Sequence, residues 1–221
     1  NLKIDQMEVY SGKAFMTALG DVKENDLFVF VTVEDLPARR LNRFIPKGSA
    51  HGNIDFSGSL GGQLGNPILK GALTVRNGGY EKVSFQRLEG NCTLNNIVDG
   101  LYGDFDLNVD SIDVNEFELA SMRVNMEIPV EGMVLFDPLE AYLDSANRIY
   151  SRGFIDILSG ADEQVIVMDT VALDYRGLSM YSTDIFEIKR KNDVYSLNSV
   201  TLHTLDGNIN GYAYIYGKDS L

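Results

Sequence analysis

The chain has 221 residues, 44% of them hydrophobic, so it is globular and long enough for one or two domains. Its 19 Lys+Arg against 32 Asp+Glu give a net charge of −13, which argues against nucleic acid and against electrostatic docking on anionic bilayers. The single Cys92 excludes an internal disulfide and a cysteine metal site, and the longest apolar run, Leu27 to Val33, is far too short for a helical membrane span. The first residue is Asn, which reads as the start of a soluble segment cut from a longer protein.

Period-two alternation dominates the chain and predicts strands. Leu27, Val29, Val31 and Val33 alternate with Phe28 and Phe30. Leu36 to Ile45 (LPARRLNRFI) reads as one or two helical turns closed by Pro46 and Gly48. Ile54 and Phe56 alternate with Asn53, Asp55 and Ser57, and Leu73 and Val75 with Ala72 and Thr74. Between them, GSLGGQLGNP (Gly58 to Pro67) invites comparison with a phosphate cradle, but such loops lead into a helix. Another strand follows here, so the segment reads as a strand connection. Asn91-Cys92-Thr93 is formally a glycosylation sequon, a pattern frequent by chance.

Asp104 to Ser121 (DFDLNVDSIDVNEFELAS) packs four Asp and two Glu into eighteen residues. A calcium loop of the EF-hand type needs Gly at position 6 and Glu at position 12. Counting from Asp104, those positions hold Val109 and Asn115, with Glu116 one residue late. Phe105, Leu107 and Val109 meanwhile alternate with the acids. The run therefore reads as a strand with one wet, acidic face. Met122, Val124, Met126 and Ile128 alternate in turn with Arg123, Asn125 and Glu127.

Phe136 to Gly153 (FDPLEAYLDSANRIYSRG) is predicted as the one longer amphipathic helix. Asp137 stands as N-cap, Pro138 at the first helical position and Gly153 as the stop. Leu139, Tyr142, Leu143, Ala146, Ile149 and Tyr150 make its apolar stripe. The chain ends on Tyr212, Tyr214 and Tyr216 alternating with Ala213 and Ile215, read as a tyrosine-faced edge strand rather than a carbohydrate platform.

A spacing of apolar residues at two, three and two steps recurs. It runs Leu2, Ile4, Met7, Val9 before Ser11; Ile112, Val114, Phe117, Leu119 before Ser121; and Tyr195, Leu197, Val200, Leu202 before Thr204. Looser copies are Ile166, Met168, Val171, Leu173 and Gly78, Tyr80, Val83, Phe85. A step of three flips the strand face unless a β-bulge absorbs one residue. Each copy is thus expected to be a bulged strand, or two strands meeting at a kink, with one apolar face. No HExxH, GxSxG or Ser-x-x-Lys pattern occurs, and His51 and His203 read as surface residues. No catalytic residue, metal ligand or cofactor is expected.

GNIDFSGSLGGQLGNPILKGALTVRNGGY (Gly52 to Tyr80) resembles the repeat unit of the AsmA-like, TamB-type proteins of diderm bacteria. The likeness lies in Gly58, Leu60, Asn66-Pro67, Gly71, Leu73 and Gly78-Gly79, and returns in LNSVTLHTLDGNINGYAYI (Leu197 to Ile215). The helix expected at 137–153 has no place in that repeat. The resemblance implies a long curved antiparallel sheet folded into a U-shaped groove with an apolar floor. It also implies a periplasmic segment of an inner-membrane-anchored protein that carries phospholipids between inner and outer membranes. The full-length protein would meet an outer-membrane β-barrel partner.

The expected organisation is thus mainly β: a first part of the groove at 1–135, the amphipathic helix at 136–153 and a second part at 154–221. The candidate groove-lining residues are Leu27, Val29, Val31, Ile54, Phe56, Leu73, Val75, Phe105, Leu107, Val109, Val124 and Met126, and phospholipid acyl chains are the expected ligand. An acyl chain gains about 0.8 kcal/mol per buried CH₂, so such a floor needs no polar ligand-binding group. The alternatives are a scaffold for outer-membrane protein assembly by strand addition, and a carbohydrate-active β-protein with an acidic cleft.

Overall fold

A computed structural model describes residues 2–43, 49–96, 102–114, 117–156, 163–182, 184–191 and 194–216. Fifteen strands, paired antiparallel, make up nearly all of it. In chain order they are β1 (Leu2–Ser11), β2 (Ala14–Lys23), β3 (Asp26–Pro37), β4 (Ala50–Gln63), β5 (Asn66–Tyr80), β6 (Val83–Asn95), β7 (Tyr102–Val114) and β8 (Phe117–Val130). They continue as β9 (Met133–Tyr142), β10 (Arg148–Asp156), β11 (Glu163–Tyr175), β12 (Leu178–Ser182), β13 (Phe186–Lys191), β14 (Val194–His203) and β15 (Asn208–Tyr216). The helical turns expected after Leu36 are present as one 3-10 helix, Ala38–Arg43; Pro46 and Gly48 lie outside the described residues.

The chain divides into two compact units, Asn1–Met122 and Arg123–Leu221, with the boundary inside β8. In the first unit each of β1 to β7 pairs with its neighbour in sequence. Two-residue turns join β1 to β2, β2 to β3, β4 to β5 and β5 to β6, and Gly12, Glu24 and Glu81 supply the left-handed backbone such turns need. In the second unit the order leaves the sequence: β11 pairs with β10 and with both β12 and β13, and β14 pairs with β12, β13 and β15.

The two-three-two spacing marks bulges as expected in three copies. The register slips between Ile4 and Met7 on β1, between Leu197 and Val200 on β14, and at Asp169 on β11, where Gly153 faces Met168 and Arg152 faces Thr170. In the copy at Gly78 to Phe85 the step of three is the β5–β6 turn. In the copy at Ile112 to Leu119 it falls on residues 115–116, outside the described residues.

The helix expected over 136–153 is not there. Phe136 to Tyr142 belong to β9, residues 143–147 make a turn, and Arg148 to Gly153 belong to β10. The segment Asp144-Ser-Ala-Asn147 supplies the turn. The Asp144 carboxylate accepts the backbone N–H groups of Ala146 and Asn147 at 2.7 and 2.9 Å, and Leu143 N–H donates to the Asn147 carbonyl. Those N–H groups hold the Asp144 carboxyl below its ordinary range. The helical stripe is ambiguous, because four of its six apolar residues, Leu139, Tyr142, Ile149 and Tyr150, serve two strands and Leu143 and Ala146 the turn between them. Ladders from β10 to β9 and β11 satisfy the backbone of both, and tertiary pairing overrides local propensity.

Candidate functional site: an apolar sheet face

Residues directly opposite in an antiparallel pair share a face, so the register reads out the two faces of the first unit. One row across β1 to β7 is Val9, Met16, Val33, Phe56, Leu73, Gly90 and Leu107. The next is Met7, Ala18, Val31, Gly58, Gly71, Cys92 and Phe105, and the next Ile4, Gly20, Val29, Leu60, Leu69, Leu94 and Gly103. Leu36, Ile54, Val75, Leu88 and Val109 form a further row on the same face. No charged side chain stands in any of them. From β3 to β7 their side chains are buried or half-buried.

The opposite face is polar. Thr32, Ser57 and Ala72 share a row with Asn91 and Asp106; Phe30, Ser59, Lys70 and Thr93 share one with Asp104. The acidic run of β7 therefore faces away from the apolar rows, with Asp104, Asn108 and Asp110 exposed opposite Thr93, Glu89 and Arg87. Among the described residues no group of three or more His, Cys, Asp or Glu is placed to hold a metal ion. Asn115 and Glu116 lie outside them. Leu19, Phe28 and Phe30 are exposed apolar exceptions on this side, Leu19 opposite Phe30 and the two rings packed edge-to-face with centroids 4.9 Å apart.

Ten of the twelve candidate residues are thus brought onto one face: Leu27, Val29 and Val31 on β3, Ile54 and Phe56 on β4, Leu73 and Val75 on β5, and Phe105, Leu107 and Val109 on β7. Val124 and Met126 share a side of β8 but belong to the second unit, Val124 buried and Met126 half-buried. Sequence reasoning missed β2 as a contributor, although Met16, Ala18, Gly20 and Val22 alternate with Phe15, Thr17 and Leu19. It also read Gly58 to Pro67 as connection. β4 in fact runs to Gln63 and only Leu64-Gly65 make the turn, so Gly58 and Gly62 lie inside the strand, on the apolar face.

A polar cluster fixes the bend next to this face. The register slips between Val33 and Leu36, where Asp35 has φ 52°, and between His51 and Asn53, around Gly52 at φ 105°. The Asp55 carboxylate accepts the Asp35 backbone N–H at 2.8 Å and is held by both terminal nitrogens of Arg76, which also pairs with Asp35 at 3.6 Å. A left-handed residue in a bulge is costly unless bonded in this way.

The remaining sequence signals go elsewhere. Cys92 is half-buried opposite Gly71 and Phe105, and burial pushes its thiol up, away from the reactive thiolate. His51 is exposed on β4, and His203 Nδ1 lies 2.8 Å from Asn208 Oδ1 on β15. Tyr212 and Tyr214 are exposed on one side of β15. Among the described residues no helix is long and apolar enough to cross a membrane. No family model, curated protein or solved structure matches the chain.

Proposed function

We propose that this chain is a lipid-holding segment of a cell-envelope bridging protein of the AsmA-like, TamB type. It would carry phospholipids between inner and outer membranes along the apolar face of its first unit, without enzymatic chemistry. In this reading the sheet curls into a U-shaped trough with that face as its floor. The segment sits in the periplasm, and the full-length protein contributes the inner-membrane anchor and meets an outer-membrane β-barrel.

One observation carries the reading: four adjoining rows across the sheet hold only apolar residues, glycine and one thiol. The strand backbones are committed to their ladders, so this floor offers an occupant almost no hydrogen bond. A peptide laid on it would leave its own N–H and C=O groups unpaired at high cost. An acyl chain has no such groups and gains about 0.8 kcal/mol for each CH₂ buried. Weak, repeated contact along a continuous surface is what movement of a lipid requires.

Mass spectrometry of a solvent extract of the purified protein tests the reading. Phospholipid in roughly stoichiometric amount is the expected result; protein free of lipid overturns it. A second reading, a scaffold for β-barrel assembly by strand addition, draws on β15, which among the described residues pairs with β14 alone and has no charged residue from Asn208 to Tyr216. Cross-linking of β15 to nascent outer-membrane proteins, with no lipid in the extract, would favour it.

A further inference from the structure

Tyr212 and Tyr214 are 78% and 61% exposed on one side of β15, and Asn208 and Asn210 stand on that same side. The register adds residues from two other strands. Asn210 lies opposite Thr201 and Asn208 opposite His203 on β14, and His203 lies opposite Tyr181 on β12. Two ring pairs result. The Tyr212 and Tyr214 rings meet edge-on with centroids 6.4 Å apart, and the Tyr181 ring, 53% exposed, has its centroid 5.4 Å from that of His203. Thr201 and Asn210 form the row between them. His203 Nδ1 lies 2.8 Å from Asn208 Oδ1. That oxygen only accepts, so Nδ1 carries the proton, and the neutral ring keeps Nε2 as an acceptor. From Asn208 to Tyr214 the side runs about 20 Å. No charged residue stands among these, and Lys189, which shares the row of Ser196 and Tyr214, is paired with Glu187 at 2.8 Å.

We propose that this side of β12, β14 and β15 is a binding platform for an uncharged, extended oligosaccharide, with sugar rings stacked on Tyr181 at one end and on Tyr212 and Tyr214 at the other. A pyranose ring has an apolar face of C–H groups and an edge of hydroxyls. The face packs on exposed aromatic rings. The hydroxyls need partners able both to donate and to accept, and phenol, amide, threonine hydroxyl and neutral imidazole are such partners. A protein partner would look for a dry apolar centre, and the aliphatic residues of β15, Ile209 and Ala213, lie on the other side of the strand. Rings set in line along one strand suit a β-linked glucan-type chain, which runs as a flat ribbon, better than an α-linked one, which coils. Alternation along the chain brings together only the tyrosines and asparagines of β15; pairing supplies Tyr181, His203 and Thr201. The platform lies in the second unit and stands independently of the lipid-holding reading.

Calorimetric titration of the whole chain with chitotetraose, cellotetraose and maltotetraose tests this. Chitotetraose or cellotetraose, both β-linked, is expected to bind, and α-linked maltotetraose to bind roughly tenfold more weakly or not at all. Tyr212→Ala and Tyr181→Ala each remove a ring, at opposite ends of the platform, and are each expected to weaken binding about five- to tenfold. Tyr212→Phe keeps the ring and is expected to stay within about twofold of wild type. Phe30→Ala removes an exposed ring of the first unit and is expected to change nothing.

Absence of binding by both β-linked sugars, or equal binding of maltotetraose, overturns the platform. Unchanged affinity in Tyr212→Ala or Tyr181→Ala, or an equal loss in Phe30→Ala, overturns it too. If Tyr181→Ala fails to fold, Tyr212→Ala still decides, since that side chain is the more exposed of the two. None of these outcomes bears on the lipid reading, which concerns the first unit and is decided by the solvent extract.

Discussion

The two units are built from the same alternating strands but spend their apolar residues differently. In the first unit long strands, up to the 15 residues of β5, each lie beside their neighbour in sequence, and the apolar residues fall on one face. In the second unit strands as short as the 5 residues of β12 pair out of sequence order. There the face of Glu140 and Tyr150 also carries Leu135, Phe154 and Val167, and the opposite side buries Phe136, Ala141 and Phe186 almost completely. Ser151 and Ser182 are buried with them. The second unit thus packs aromatic side chains almost completely, whereas the first buries Val29, Val109 and Ile112 but leaves the larger side chains of its apolar rows, Phe56, Leu73, Phe105 and Leu107, half-buried. Fully packed rings carry stability; half-buried side chains on the face proposed to hold lipid contribute less of it.

The strongest test of that contrast is Phe136→Ala. The Phe136 ring is 3% exposed and lies over Gly153, so the variant should lose about 3–5 kcal/mol in urea unfolding. Leu107→Asp should do the reverse: the chain stays folded, at a cost of less than about 2 kcal/mol, but loses the lipid that the proposed function expects to co-purify. If Leu107→Asp unfolds the chain while Phe136→Ala is mild, the assignment of core and binding face is inverted and fails.

A smaller effect is expected at the bend of the first unit. Asp55→Ala removes the acceptor of the Asp35 N–H and the partner of Arg76, and should cost about 1–2 kcal/mol by thermal or urea unfolding. The smallest effect concerns acid and the second unit. Arg152 holds the Asp169 carboxyl below its ordinary range, and the Ser179 hydroxyl, then Arg148, does so for Asp174. The unfolded chain therefore takes up these protons first as pH falls. The stabilisation is fully present above about pH 4 and is lost below it. Asp174→Asn should lower the urea midpoint at neutral pH, and the difference from wild type should close at about pH 2; a constant difference would refute the linkage.

Much of this molecule was legible in the chain itself. Strict alternation on β3, β4, β5 and β7 assigns the strands and their apolar sides, because the side-chain period of a strand is two. The same rule turned a step of three into a bulge on β1, β11 and β14, and placed the acids of β7 on the wet side. What tertiary structure alone decided was pairing. Residues 136–153 carry a helical stripe, but the pairing of β9 with β10 and of β10 with β11 makes two strands and a turn of them instead. Register likewise joins Gly58 to Gly71 and sets Phe56 above them, since glycines look like turn signals until an opposing strand shows which face they open. Local spacing fixes which side of a strand is apolar; only partners from distant sequence fix what that side adjoins.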